Sequence, residues 1–128
     1  MTDLDVSTRH DDAASTSGRS EMTTSRGLLL FTTDIDPAME AEFHRWYEEE
    51  HIPERMAVPG FLTARRFRAI EGGPKYLALY DLETPEVLAS EPYLRLTGEN
   101  KSAWTRRMES MFRNGRRNVY ASISERQR

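Results

Sequence analysis

The stretch from Phe43 to Phe61, FHRWYEEEHIPERMAVPGF, restricts the possible folds of this chain more than any other. Met39, Phe43, Trp46 and Tyr47 fall at i, i+4, i+7 and i+8, the spacing of one apolar stripe along a helix. Ahead of them Asp36 and Pro37 make a helix start, with the carboxylate placed to cap free N–H groups and the proline at the first helical position. Pro53 removes a hydrogen bond and crowds the preceding turn, so the helix is expected to end or kink near His51. A short irregular or helical piece, Glu54 to Val58, then leads through Pro59 and Gly60 into a strand.

On either side of this stretch the pattern changes period. Gly27 to Thr33 (GLLLFTT) is an apolar run bounded by aspartates and reads as strand one. Phe61 to Ile70 (FLTARRFRAI) and Lys75 to Leu82 (KYLALYDL), joined by the tight turn EGGP, read as a hairpin of strands two and three. Within strand three, Leu77 and Leu79 alternate with Tyr76, Ala78 and Tyr80, which gives one aliphatic face and one aromatic face. A helical region opens at Thr84 and Pro85, breaks near Gly98 and resumes from Ala103 to Phe112, with Asn114 and Gly115 as its stop. Asn118 to Ser124 closes the pattern as strand four. The order strand, helix, strand, strand, helix, strand predicts an α+β, ferredoxin-like βαββαβ fold, a four-stranded antiparallel sheet with helices on one face.

One domain is expected over residues 26–124, because 128 residues build a single core. Residues 1–25 hold Ser, Thr, Asp and Ala with few large apolar side chains and are expected to form a disordered tail. That tail carries five acids against Arg9 and Arg19. Of the 18 bases and 21 acids in the whole chain, 16 of each remain, so the domain itself is formally neutral. Neutrality argues against nucleic acid or an anionic membrane as partner, since both demand a basic surface. The absence of cysteine rules out a disulfide framework, and no apolar run approaches the roughly 20 residues of a membrane span, so a cytoplasmic protein is expected.

The residues Trp46, Tyr47, His51 and Pro53, followed by Pro59, Gly60 and Phe61, with ARRFR and YLALYDL beyond, resemble the dimeric α/β-barrel superfamily and within it the EthD-like proteins. The resemblance covers about residues 27–124. It implies a small-molecule site and a range of reactions: cofactor-free monooxygenases, lactone isomerases, polyketide cyclases, decarboxylases and haem enzymes share the fold, as do proteins without known activity. Helices cover only one face of such a sheet, and both faces look apolar or aromatic. A homodimer is therefore expected, with two sheets facing each other across a cavity.

Candidate chemistry centres on His51, an acid or base whose ordinary pKa lies near neutrality. Glu50 falls in the apolar stripe and is expected to orient the imidazole, while Arg65 or Tyr80 would supply a donor for an enolate or carboxylate oxygen. The substrate-binding candidates are His44, Trp46, Tyr47, Phe61, Tyr76 and Trp104, aromatic or polar groups bordering the core. The competing structural reading makes His51 a cap of the helix C-terminus. His44, Glu48 and His51 at i, i+4 and i+7 reproduce a two-histidine, one-carboxylate metal set, but one helix rarely closes around an ion, so no metal and no cofactor is expected. Arg65, Arg66 and Arg68, like Arg113, Arg116 and Arg117, lack the aromatic platforms of an RNA module; Arg66 and Arg68 are expected to pair with Glu48 or Glu49 or to stay solvated.

The function expected is that of a cofactor-free isomerase, cyclase, lyase or decarboxylase acting on an oxygenated cyclic or aromatic metabolite by His-mediated proton transfer. The alternatives are a cofactor-independent monooxygenase and a non-catalytic ligand-binding or accessory protein of EthD type.

Overall fold

A computed structural model describes residues 25–128. Of the expected tail, all but Ser25 lies outside the described residues. The elements follow the expected order: β1 (Gly27–Asp34), α1 (Glu40–Trp46), a π-helical turn (Tyr47–His51), α2 (Ile52–Met56), β2 (Phe61–Arg68), β3 (Tyr76–Leu82), α3 (Glu91–Leu94), α4 (Ala103–Glu109) and β4 (Arg113–Ala121). The strands form one antiparallel sheet in the order β2-β3-β1-β4, the ferredoxin-like arrangement.

Helix starts follow the local chemistry. Asp36 Oδ1 accepts from the Ala38 N–H at 2.9 Å with Pro37 behind it, as the sequence predicts. Thr84 and Ser102 do the same for the Glu86 and Thr105 amides. Gly60 adopts φ of +100°, which turns the chain out of α2 into β2 and brings it against the Val87 side chain.

The pleat divides the sheet into two faces. Leu29, Tyr76, Ala78, Tyr80 and Leu82 point toward the helices and pack with Phe43, Trp46, Tyr47 and Met108 to make the core. The aromatic face inferred for strand three is thus the covered one. On the other face register partners set Leu30 beside Leu79 and Thr32 beside Leu77, flanked by Phe67 and Tyr120, which are 48% and 49% exposed. Among the described residues, no helix lies over this open, largely apolar face.

Several element ends fall one to three residues from the sequence reading, β2 at Arg68 for Ile70, α4 at Glu109 for Phe112 and β4 at Ala121 for Ser124 among them, and two boundaries differ by more. β4 begins at Arg113, five residues before the expected Asn118. Asn114, at φ of +56°, turns the chain inside the strand's first residues, next to the irregularity between Thr32 and Asp34. The helix that Pro53 was expected to break runs on to Met56. A wider turn just before the proline is the reason: the Ile52 N–H bonds the Tyr47 carbonyl five residues back, which relieves the crowding that a proline ring imposes on an α-helical turn.

Candidate functional site

Continuation of the helix decides where His51 goes. Tyr47, His51 and Arg55 are four residues apart and all turn toward the sheet, where each is buried. The imidazole stacks on Trp46, ring centroids 4.3 Å apart and 27° between planes, and meets the edge of Tyr47 at 5.2 Å. Beside it lies a small cavity of about 40 Å3 between the helices and the sheet of a single chain. Leu29 and Phe31 of β1, Tyr80 of β3 and Arg117 of β4 form its floor. Trp46, Tyr47, His51 and Arg55 close one side, and Tyr93, Glu109 and Phe112 close the other.

Among the described residues, two polar atoms in this cavity lining are buried without a hydrogen-bond partner: His51 Nδ1 and the Tyr80 hydroxyl. Buried polar groups are nearly always paired, so two orphans in one lining are a ligand-site signature. Burial, reinforced by the charges of Arg55, Lys101 and Arg66, holds the His51 imidazole well below the usual histidine range. It is therefore neutral at physiological pH, with a lone pair to offer. Burial pushes the Tyr80 phenol up to about 12, which keeps it a donor. The cavity thus sets an acceptor and a donor against one space, walled by aromatic rings.

Positive charge surrounds that pair. Arg55 is 7% exposed, its guanidinium 5.3 Å above the Tyr93 ring. Arg117 donates to the Tyr93 hydroxyl at 2.9 Å. Glu109, the carboxylate of the lining, is held by Lys101 through both oxygens at 2.8 and 3.0 Å.

Of the residues singled out in the sequence, the cavity brings together His51, Tyr80, Trp46 and Tyr47. Glu50 does not orient the imidazole. It accepts from Ser102 Oγ and from Thr105 Oγ1 at 2.9 Å, and Thr105 Oγ1 in turn accepts from Trp46 Nε1 at 3.1 Å, so the carboxylate ties the first helix to α4. Arg65 lies on the opposite, open face, bonded to Asp81 at 2.9 Å with Thr63 on the same carboxylate; strand alternation puts it out of reach of a helix-borne histidine. For the same reason the space next to His51 belongs to one chain and does not open onto the sheet face where a second sheet would lie. His51 is not a C-terminal cap either, because the helix continues for five residues after it.

His44 Nδ1 accepts from Arg66 at 2.8 Å, and burial together with that cation lowers its pKa. Arg66 also reaches Glu48 at 3.1 Å, the pairing expected from the sequence, and lies 4.4 Å above the Tyr47 ring. His44 and Glu48 thus converge on an arginine while His51 faces the cavity. Among the described residues no group of three or more His, Cys, Asp or Glu is placed to hold a metal. Tyr76 packs on Phe43 and His44, away from the cavity. Phe61 forms a wall behind it, stacked on Tyr93 at 5.9 Å and edge-on to Tyr80 at 5.6 Å. Trp104 donates to Glu42 at 3.0 Å beneath Arg45, on the outer side of the helix pair.

Sequence reasoning missed Arg55, Tyr93 and Arg117. Arg55 carried a signal, standing four residues after His51 and eight after Tyr47, but only if the helix survives Pro53.

A sequence-family model described as "Domain of unknown function (DUF4286)" matches residues 27–113. Among curated proteins none matches the sequence. Solved structures of the same fold include a dimeric ferredoxin-like protein from an uncultured marine organism, with TM-score 0.61 and 13% identity over 87% of this chain and 99% of that one. A candidate antibiotic biosynthesis monooxygenase from Caulobacter crescentus CB15 gives 0.62 and 14% over 91% and 99%. A variant of SnoaB, a cofactor-independent oxygenase from Streptomyces nogalater, gives 0.57 and 12% over 79% and 96%. Identities this low speak for fold alone. No helix among the described residues is long and apolar enough to cross a membrane.

Proposed function

This chain belongs to the DUF4286 family and has the ferredoxin-like fold of the dimeric α/β-barrel superfamily, and from that premise we propose that it is a cofactor-free enzyme of small, oxygenated cyclic or aromatic metabolites, working by proton transfer at His51. The observation that carries the reading is the pair of buried, unpartnered atoms, His51 Nδ1 and the Tyr80 hydroxyl, lining one aromatic-walled cavity. An enol or phenol hydroxyl seated there donates to the imidazole and accepts from the tyrosine. His51 takes the proton, and Tyr80 with the Arg55 charge stabilises the oxyanion left behind. Burial makes the imidazolium short-lived, so the proton returns to the substrate at another atom. Isomerisation, cyclisation, elimination or decarboxylation all fit such a shuttle. As in EthD-like proteins, the working unit is a homodimer, formed through the open sheet face.

Likeness to the Streptomyces nogalater oxygenase favours a second reading, in which the same anion reacts with O2. A panel of phenolic and enolic ring compounds in D2O separates the readings. Proton transfer alone exchanges deuterium into the compound without consuming O2, and His51→Gln slows it about 10²- to 10⁴-fold. Uptake of O2 in step with turnover selects the second reading. Binding without exchange or turnover, unchanged in His51→Gln, leaves a ligand-binding protein.

A further inference from the structure

The unpartnered atoms of the cavity and its size point to one occupant. Among the described residues, His51 Nδ1 and the Tyr80 hydroxyl are the buried side-chain polar atoms without a hydrogen-bond partner, and both residues line one cavity. They do not bond each other, so whatever satisfies them stands between them. The phenol has a proton to give, and the neutral imidazole has a lone pair to fill. The occupant therefore accepts from one and donates to the other. Space is the second constraint. One water needs about 10–15 Å3 of such volume, so the cavity of about 40 Å3 takes a water or two and no ring. A buried water also asks for about two to four polar partners. Glu109, the carboxylate of the same lining, supplies an acceptor for its second hydrogen.

We propose that an ordered water is a built-in part of this site, accepting from the Tyr80 hydroxyl and donating to His51 Nδ1. Its bond to Nδ1 leaves the proton of the neutral ring on Nε2, and its bond to Tyr80 keeps the hydroxyl turned inward. The water thus sets the tautomer that the proposed proton transfer uses. On that reading a substrate hydroxyl enters by displacing the water and repeating its two bonds, while the ring stays at the half-buried edge formed by Phe112 and Arg117. The water itself rests on the two atoms and the space between them, not on His51 performing chemistry.

Crystals of the intact chain, with and without xenon pressure, test this, because a dry apolar cavity takes up xenon and a hydrated polar one does not. One water is expected within about 2.6–3.2 Å of both His51 Nδ1 and the Tyr80 hydroxyl, with no xenon bound there. Tyr80→Phe should lose that water. Should the variant fail to fold, the parent alone decides through its own density and its xenon uptake. A chain that exchanges no deuterium into any ring compound still holds the water, so a failed catalytic reading leaves this result standing. A direct bond between His51 and Tyr80, a dry cavity that takes xenon, or the same water unmoved in Tyr80→Phe overturns the proposal.

Discussion

His51 lies face to face with Trp46, 4.3 Å between ring centroids, at a spacing of five residues that a regular α-helix would not bring into register. The stack buries an imidazole whose Nδ1 has no partner. This arrangement has a measurable linkage to pH. The folded-state pKa lies well below the unfolded value of about 6.5, so the unfolded chain binds the proton first as pH falls. Stability from this group is full above the unfolded pKa and is lost on acidification below it, with a slope of up to about 1.4 kcal/mol per pH unit. His44 shifts in the same direction and adds to the slope. Urea unfolding at pH 7.5 and 5.5 should show the loss, and His51→Gln should reduce it. An equal loss in the variant would mean that His51 is not the buried titrating group.

Thr105 links Glu50 to Trp46, donating to one and accepting from the other. Thr105→Val keeps the shape and removes both bonds, leaving the buried indole N–H unpaired. A loss of about 1–3 kcal/mol is expected in urea unfolding. Because Trp46 walls the cavity, its fluorescence should shift as well. A variant as stable as the parent would show that the link holds nothing.

Gly60 sits at φ of +100° with Val87 where a Cβ would go. Gly60→Ala combines an unfavourable backbone conformation with a clash against a β-branched side chain that has little room to rotate. Its urea midpoint should fall by the equivalent of about 1 kcal/mol or more. Gly72, also at positive φ but with open space around it, should be milder when changed to alanine.

Leu79 occupies the open sheet face between Leu30 and Arg65. Leu79→Glu places a charge in the middle of that face and should convert the proposed dimer to a monomer in light scattering, with the fold retained by circular dichroism. A dimer unaffected by this substitution must be built on another surface.

How much of this could be read from the chain depends on which force sets each feature. The strands and the sheet order follow from alternation and turns, which are local, and the apolar stripe of Met39, Phe43, Trp46 and Tyr47 was visible at its helical spacing. Even the capping by Asp36 was legible. The partner of Glu50 was not: its carboxylate meets Ser102 and Thr105 from a helix more than fifty residues away. Arg65 illustrates a different loss. Its own strand pattern placed it correctly on one face, but nothing local says which face the helices cover. Arg55 was hidden by a rule that ordinarily holds, that proline ends a helix, and here a wider turn accommodates it.

That turn gives the chain a length signature. The wide turn absorbs one residue more than an α-helix needs, which is why Trp46 and His51, five apart in sequence, face each other as residues four apart do on a regular helix. Deleting Glu48 or Glu49 would return the segment to a plain α-helix with the histidine four residues after Trp46, and His51 and Arg55 would keep their direction toward the cavity. A relative with one residue fewer in this segment can therefore present the same histidine and arginine to the same space, and an alignment that reads the gap as a lost site misplaces them both.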